Sequence, residues 1–215
     1  RLIREGRIDE AVDLALAYTP FPATVCGYLC PNLCMQHCTR QSQEMPPLDV
    51  SLLGRMSLAA NTPELPDVSG KRIAVIGSGP AGLSVAWQLR CKGHEVVVYD
   101  REDRLGGKIS SVIPSSRIPA QVLEAELERI RNLLPRVHLG QELSSEDVDQ
   151  LKNDYDFLVV AIGAQAPKRL SVPGQERTVP ALEFLKQSKQ GMITPGERVV
   201  IIGAGNVGCD VAAEA

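Results

Sequence analysis

The sequence predicts an α/β protein, and three observations carry that prediction. Two short runs rich in Val and Ile, Arg72–Ile76 and Arg198–Ile202, each lead straight into a Gly-x-Gly-x-x-Gly turn. Each turn is followed by residues suited to a helix. Upstream, Ile8, Ala11, Val12, Ala15 and Leu16 recur at helical spacing. The expected order is an N-terminal α-helical cysteine-rich segment, a Rossmann-like domain on a parallel sheet, and the start of a second Rossmann-like domain.

Each element has its own local reason. Thr19-Pro20-Phe21-Pro22 ends the first helix, because proline lacks the N–H that a helix interior needs. Four cysteines follow, then Pro46-Pro47 and a short helix from about Val50 to Ala60. Thr62-Pro63-Glu64-Leu65-Pro66 suits a linker. Ile73–Ile76 is the short apolar run of a strand buried on both faces. Pro80 to Lys92 suits a helix with Ala81, Val85, Ala86 and Leu89 on one side, and Glu95–Tyr99 suits the next strand. Leu123, Leu127, Ile130 and Leu134 mark an amphipathic helix, followed by a short strand near Val137–Leu139. Ser144, with Asp147 three residues on, starts a capped helix reaching Lys152. Phe157–Ile162 is a further strand, Leu182–Gln190 a helix, and Val199–Ile202 the strand that feeds the second turn. The expected units are residues 1–66, 67–194 and 195–215.

Composition excludes some functions. Basic residues number 23 and acidic residues 26, for a net charge of −3, which argues against a nucleic-acid or anionic-membrane surface. No apolar run approaches the roughly 18 residues that span a bilayer. The first residues, Arg1-Leu2-Ile3-Arg4-Glu5, hold no signal-peptide core, so a cytoplasmic location is expected. The start without Met and the stop at Ala215, about two helical turns past the second glycine turn, suggest part of a longer polypeptide.

The first turn, Gly77-Ser78-Gly79-Pro80-Ala81-Gly82, has the context that its chemistry requires. Gly77 permits the tight turn, Gly79 lets backbone approach a pyrophosphate, and Gly82 lets helix and strand pack closely. Free N–H groups and the positive helix end favour phosphate. Asp100 stands 18 residues after Gly82, at the end of the second strand, where a carboxylate can accept from ribose hydroxyls. The second turn, Gly203-Ala204-Gly205-Asn206-Val207-Gly208, repeats this physics. The residue that would separate NAD from NADP lies about 20 residues further on, past Ala215.

Cys26, Cys30, Cys34 and Cys38 are spaced by three residues. Residues four apart share one helical face, so these thiolates are expected to converge as metal ligands. The spacing leaves zinc, an iron–sulfur cluster and free thiols open. Cys91 and Cys209, in predicted helices, are expected to be buried packing residues. His37, His94 and His138 are scattered and form no motif.

Three further pieces complete a pattern: Leu105-Gly106-Gly107-Lys108, the Ile113–Pro119 stretch with Arg117, and Ala161-Ile162-Gly163-Ala164. With them the chain resembles, over nearly its whole length, the flavoprotein small subunit of glutamate synthase and its relatives, among them the amino-terminal region of dihydropyrimidine dehydrogenase. The resemblance implies FAD at the first turn. It assigns Gly77, Gly79, Pro80, Ala81 and Gly82 to the pyrophosphate and Asp100 to the ribose. It places Gly106, Gly107, Arg117, Gly163 and Ala164 along the flavin. It gives Gly203, Gly205, Asn206, Val207 and Gly208 to NAD(P)H.

The resemblance also implies [4Fe-4S] clusters, with Cys30, Cys34 and Cys38 matching ligands and Cys26 matching a cysteine of less certain role. Two departures stand out: the upstream cysteine group is absent from the sequence, and Gly54 falls where some relatives place a Gln or Glu ligand. Lys108–Val112 also differs from the usual sequence after the two glycines. The implied activity is that of an NAD(P)H-dependent, FAD-containing oxidoreductase. It would pass electrons from NAD(P)H through FAD to iron–sulfur centres and a larger catalytic subunit or domain. No side chain stands out as a general acid or base, and hydride transfer requires none. A two-dinucleotide disulfide reductase would need a C-x-x-C pair, which this sequence lacks. A non-catalytic scaffold or assembly subunit is the reading from another class.

Overall fold

The computed structural model describes residues 1–67, 70–167 and 171–215. The chain opens with α1 (Ile8–Leu16), which turns Ala11, Val12 and Leu16 inward. Pro20 and Pro22 end it. A π-helical segment, Pro22–Leu29, carries Cys26. Then come α2 (Leu33–Gln36), a 3₁₀ turn at Thr39–Gln43, α3 (Val50–Met56) and a second 3₁₀ turn at Ser57–Ala59. Asp49 starts α3 by accepting the Ser51 N–H at 2.9 Å.

The cysteines do not share one helical face, which corrects the spacing argument. Cys26 is π-helical, Cys30 is extended at the end of that segment, Cys34 lies in α2, and Cys38 is extended before the next turn. The break falls at Pro31-Asn32. Proline has no N–H to continue the helix, and Asn32 adopts a left-handed φ of 56° that reverses the chain. Gly54 has a packing reason as well. A Cβ there would sit 2.5 Å from the Pro22 carbonyl oxygen and 3.2 Å from the Cys26 Cβ, so α3 rides directly on the π-helical segment. Arg55 ties the two by donating to the Gly27 carbonyl at 3.0 Å.

Four parallel strands follow: β1 (Arg72–Ile76), β2 (Glu95–Tyr99), β3 (Val137–His138) and β4 (Phe157–Val160), in the order β3-β2-β1-β4. Ile73 pairs with Val96 on one side and Phe157 on the other, which sets β1 at the centre. The connections carry α4 (Pro80–Cys91), α5 (Lys108–Ser111), α6 (Ala120–Leu133) and α7 (Ser145–Asp154). The Ser144–Asp147 capping box forms as the sequence predicts.

One core joins the cysteine-bearing segment to the sheet. Val12, Leu16 and Phe21 pack in the same buried cluster as Ile73, Val98, Trp87 and Ile130. The fully buried Trp87 donates its indole N–H to the Leu16 carbonyl at 2.8 Å. Helix α6 clamps the segment with two buried charges. Glu126 accepts the Ala23 and Thr24 N–H groups at 2.7 and 2.9 Å, at the start of the π-helical segment. Arg129 donates to the carbonyls of Ser57 and Ala60, at the far end of the α3 region.

The last stretch holds α8 (Ala181–Lys189) and α9 (Asn206–Glu214), which close a second small cluster of Val112, Phe184, Leu185 and Val211. Val199–Ile202 corrects the sequence reading, for it joins no sheet among the described residues, and Val200 is 88% exposed. A parallel strand exists only through a neighbour's backbone groups. Cys209 is likewise exposed rather than packed, and Cys91 is only half-buried. Among the described residues no helix is long and apolar enough to cross a membrane.

Candidate dinucleotide-binding cleft

From β1 the chain crosses to β2 and β3 on one side, then to β4 on the other. In such sheets ligands bind at the carboxyl ends of the strands where this reversal falls. A cleft of about 1070 Å³ opens there. Its walls include Gly77, Gly79, Pro80 and Ala81 of the first turn, Asp100 after β2, Gly107, and Gly163 and Ala164 after β4.

The turn has the shape that its glycines predict. Gly77 adopts φ +109°, and a Cβ there would lie 2.4 Å from the Ala161 carbonyl oxygen. A Cβ on Gly82 would meet the Gly77 carbonyl oxygen at 1.9 Å. A Cβ on Gly79, by contrast, would meet nothing within 4 Å. Gly79 therefore faces open cleft at the start of a 12-residue helix whose first N–H groups lack helical acceptors. That open cradle, with its bare donors, fits a dinucleotide diphosphate.

Asp100 is held in place by the loop that it supports. Its carboxylate accepts the Ser78 N–H and, at 2.9 Å, the Glu102 N–H. Gly106 accounts for a second contact, donating its N–H to the Ser78 carbonyl at 2.9 Å. Gly107, at φ +53°, comes so near that its Cβ would stand 2.9 Å from the Gly79 Cα. The double glycine therefore lets one loop lie against the other.

Arg117 is placed elsewhere. It forms an ion pair with Asp210 of α9 at 3.1 Å and does not line the cleft, a departure from the expected flavin contact. Its segment is drawn to α9, where Ser116 also bonds Glu214 at 3.1 Å. Gly82 and Gly106 sit behind the wall as supports rather than on its surface. The sequence reading gave no role to Lys108, Arg101 or Gln165, which line the cleft. Tyr99, also in the wall, bonds the Tyr155 hydroxyl at 3.0 Å. Burial and that bond push its phenol up to about 12.

The second turn repeats the first closely. Gly203 has φ +113° and Gly205 φ −77°, against +109° and −73° in the first copy. A Cβ on Gly208 would meet the Gly203 carbonyl oxygen at 2.1 Å, and one on Gly205 would meet nothing within 4 Å. Asn206 and Val207 begin α9, as expected.

The four cysteines are all free thiols, and among the described residues no group of three or more His, Cys, Asp or Glu side chains is arranged to hold a metal ion. Burial, with Cys30 and Cys34 close by, pushes the Cys26 thiol up. N–H groups of Leu48 and Arg40 pull the Cys38 thiol down.

Residues 71–215 match the family described as pyridine nucleotide-disulphide oxidoreductase. The chain belongs to that family. Its curated relatives include the glutamate synthase [NADPH] small chain of Mycobacterium tuberculosis, 32% identical over 97% of this chain and 47% of that protein. The NADPH-Fe(3+) oxidoreductase subunit beta of Geobacter sulfurreducens is 30% identical over 97% of this chain and 33% of its own length. The chain thus spans half or less of the relatives that it matches. Among solved structures, FprA of Mycobacterium tuberculosis in complex with NADPH superposes with a TM-score of 0.55 at 24% identity, over 66% of this chain and 35% of that one, a likeness of fold.

In this chain the glycines should respond unequally to substitution. Gly82→Val drives side-chain atoms into the Gly77 carbonyl and is expected to destabilise by about 1–3 kcal/mol. Gly79→Ala adds a methyl to open space and should shift stability by less than about 0.5 kcal/mol. Urea unfolding midpoints of the two variants check this; equal shifts would contradict the packing described.

Proposed function

We propose that the chain is the FAD-binding part, with the beginning of the NAD(P)H-binding part, of a flavin-dependent oxidoreductase. The open Gly79 cradle at the start of α4, with Asp100 beside it, carries the reading. Bound there, FAD would supply hydride acceptance from NAD(P)H and onward release of single electrons. The protein's residues bind and orient. The α4 terminus would hold the diphosphate, Asp100 would accept from the ribose, and the Gly107 and Gly163-Ala164 walls would flank the flavin. Gly203, Gly205 and Gly208 would form the corresponding nicotinamide cradle.

Electrons would then pass to iron–sulfur centres and to a larger partner subunit or domain. Two relatives are named as a small chain and a subunit beta, which favours such a partner. Cys26, Cys30, Cys34 and Cys38 are the thiols this chain would offer such a centre, although among the described residues the fold does not gather them into a metal site. On this view residues 1–66, 67–194 and 195–215 are the cluster, flavin and nicotinamide units. The chain has no C-x-x-C pair, so disulfide reduction is the weaker reading.

The test is the flavin, iron and acid-labile sulfide content per chain of protein purified without oxygen. Stoichiometric flavin with iron and sulfide supports the full relay. Flavin alone restricts the proposal to the cleft, and neither cofactor overturns it.

A further inference from the structure

Two cations cross the mouth of the cleft, and among the described residues no carboxylate pairs with either. Lys108 Nζ donates to the Ala164 carbonyl at 2.6 Å, and the Arg101 guanidinium donates to Gln165 Oε1 at 2.8 Å. Both acceptors are neutral oxygens of the loop after β4, and all four residues line the cleft. The third lining cation, Lys186, differs in facing Glu102 at 3.2 Å. Asp100 is already committed to two backbone N–H groups. Lys108 also follows Gly107 directly, the residue that packs beside the Gly79 Cα.

An ammonium on a neutral carbonyl gains when that partner becomes an anion, because ionic hydrogen bonds are roughly twice as strong as neutral ones. A diphosphate seated over Gly79 would offer such an oxygen. We infer that Lys108 is a diphosphate-binding residue that leaves the Ala164 carbonyl for a phosphate oxygen when a dinucleotide enters. Arg101, tied to the next residue of the same loop, keeps that loop in place. The inference rests on the proposed dinucleotide site and adds to it a charge that the backbone cradle lacks.

The test titrates the purified chain, freed of bound nucleotide, with FAD, ADP and adenosine at low and high salt. The variants are Lys108→Met and Lys108→Arg. For Lys108→Met the expected result is about 10- to 100-fold weaker FAD and ADP binding, a flatter salt dependence and unchanged adenosine binding. Lys108→Arg should keep the salt dependence. The inference is overturned if Lys108→Met binds FAD and ADP with wild-type affinity and salt slope. It is also overturned if adenosine binding falls by the same factor, since the lysine's role would then be structural. Failure of the wild-type chain to bind either FAD or ADP would instead overturn the dinucleotide reading itself, and this inference with it.

Discussion

Asp100→Lys is expected to leave the purified chain without flavin. The carboxylate has two duties, one outward and one inward. Outward, on the proposed function, it would be the acceptor for a ribose at the end of β2. Inward, it holds the Ser78 and Glu102 N–H groups and so fixes the bend of the glycine turn. Lysine has no acceptor and returns none of these bonds. Bonds to a charged partner are worth about 1.5–3 kcal/mol each, so losing even the ribose contact predicts at least about a tenfold loss in affinity. Loosening the turn adds to that loss. Asp100→Asn keeps one acceptor oxygen and should fall between lysine and wild type. Flavin absorbance of the purified variants, followed by FAD titration, measures both effects. Wild-type flavin content in Asp100→Lys would sink the assignment.

Glu126→Ala is expected to have the largest effect on stability, about 2–6 kcal/mol, because it strands two buried backbone N–H groups at about 1–3 kcal/mol each. The side chain is fully buried. Without it the Ala23 and Thr24 N–H groups lose their acceptor, and Arg129 loses the opposite charge nearby. Urea unfolding should show a lower midpoint, with loss of the π-helical segment's protection from hydrogen exchange.

Glu126 also gives the protein a pH dependence. Burial pushes its carboxyl above the ordinary value of 4.5, against the opposing pull of Thr24, Ala23 and Arg129. In the window above 4.5 the folded chain therefore holds a proton that the unfolded chain has released. The contribution of that group is greatest at or below 4.5 and declines as pH rises through the folded value. Glu126→Gln does not titrate and should remove this slope from the stability–pH curve. An unchanged curve would show that the carboxyl titrates normally.

Much of the fold was legible because each signal was local. The Ile73–Ile76 run, the Pro80 helix start and the Ser144–Asp147 box fix their elements within a few residues. The glycine turns were equally readable. Their second copy keeps the geometry of the first although, among the described residues, no strand pairs with the run before it. What the sequence hid depends on distant partners. Val199–Ile202 has a strand's composition, but a strand also requires a neighbour. Arg101 and Lys108 look like solvated surface cations until the loop after β4 is seen beneath them. The cysteine spacing suggested one helical face because periodicity does not register the reversal at Asn32. Glu126 gave one missed clue. It lies three residues after Leu123 and four before Ile130, so it shares their apolar face and had to be buried or satisfied there.

The clamp of α6 has a consequence for biosynthesis. The Ala23 N–H finds its acceptor 103 residues later in the chain, and Ser57 waits 72 residues for Arg129. Translation at about 5–20 residues per second places roughly 5–20 s between emergence of the cysteine-bearing segment and arrival of its clamp. For most of that interval all four thiols are outside the ribosome with no Glu126 to organise the backbone around them. Any reagent that captures thiols, whether metal-delivering, oxidising or alkylating, meets them most openly on the nascent chain.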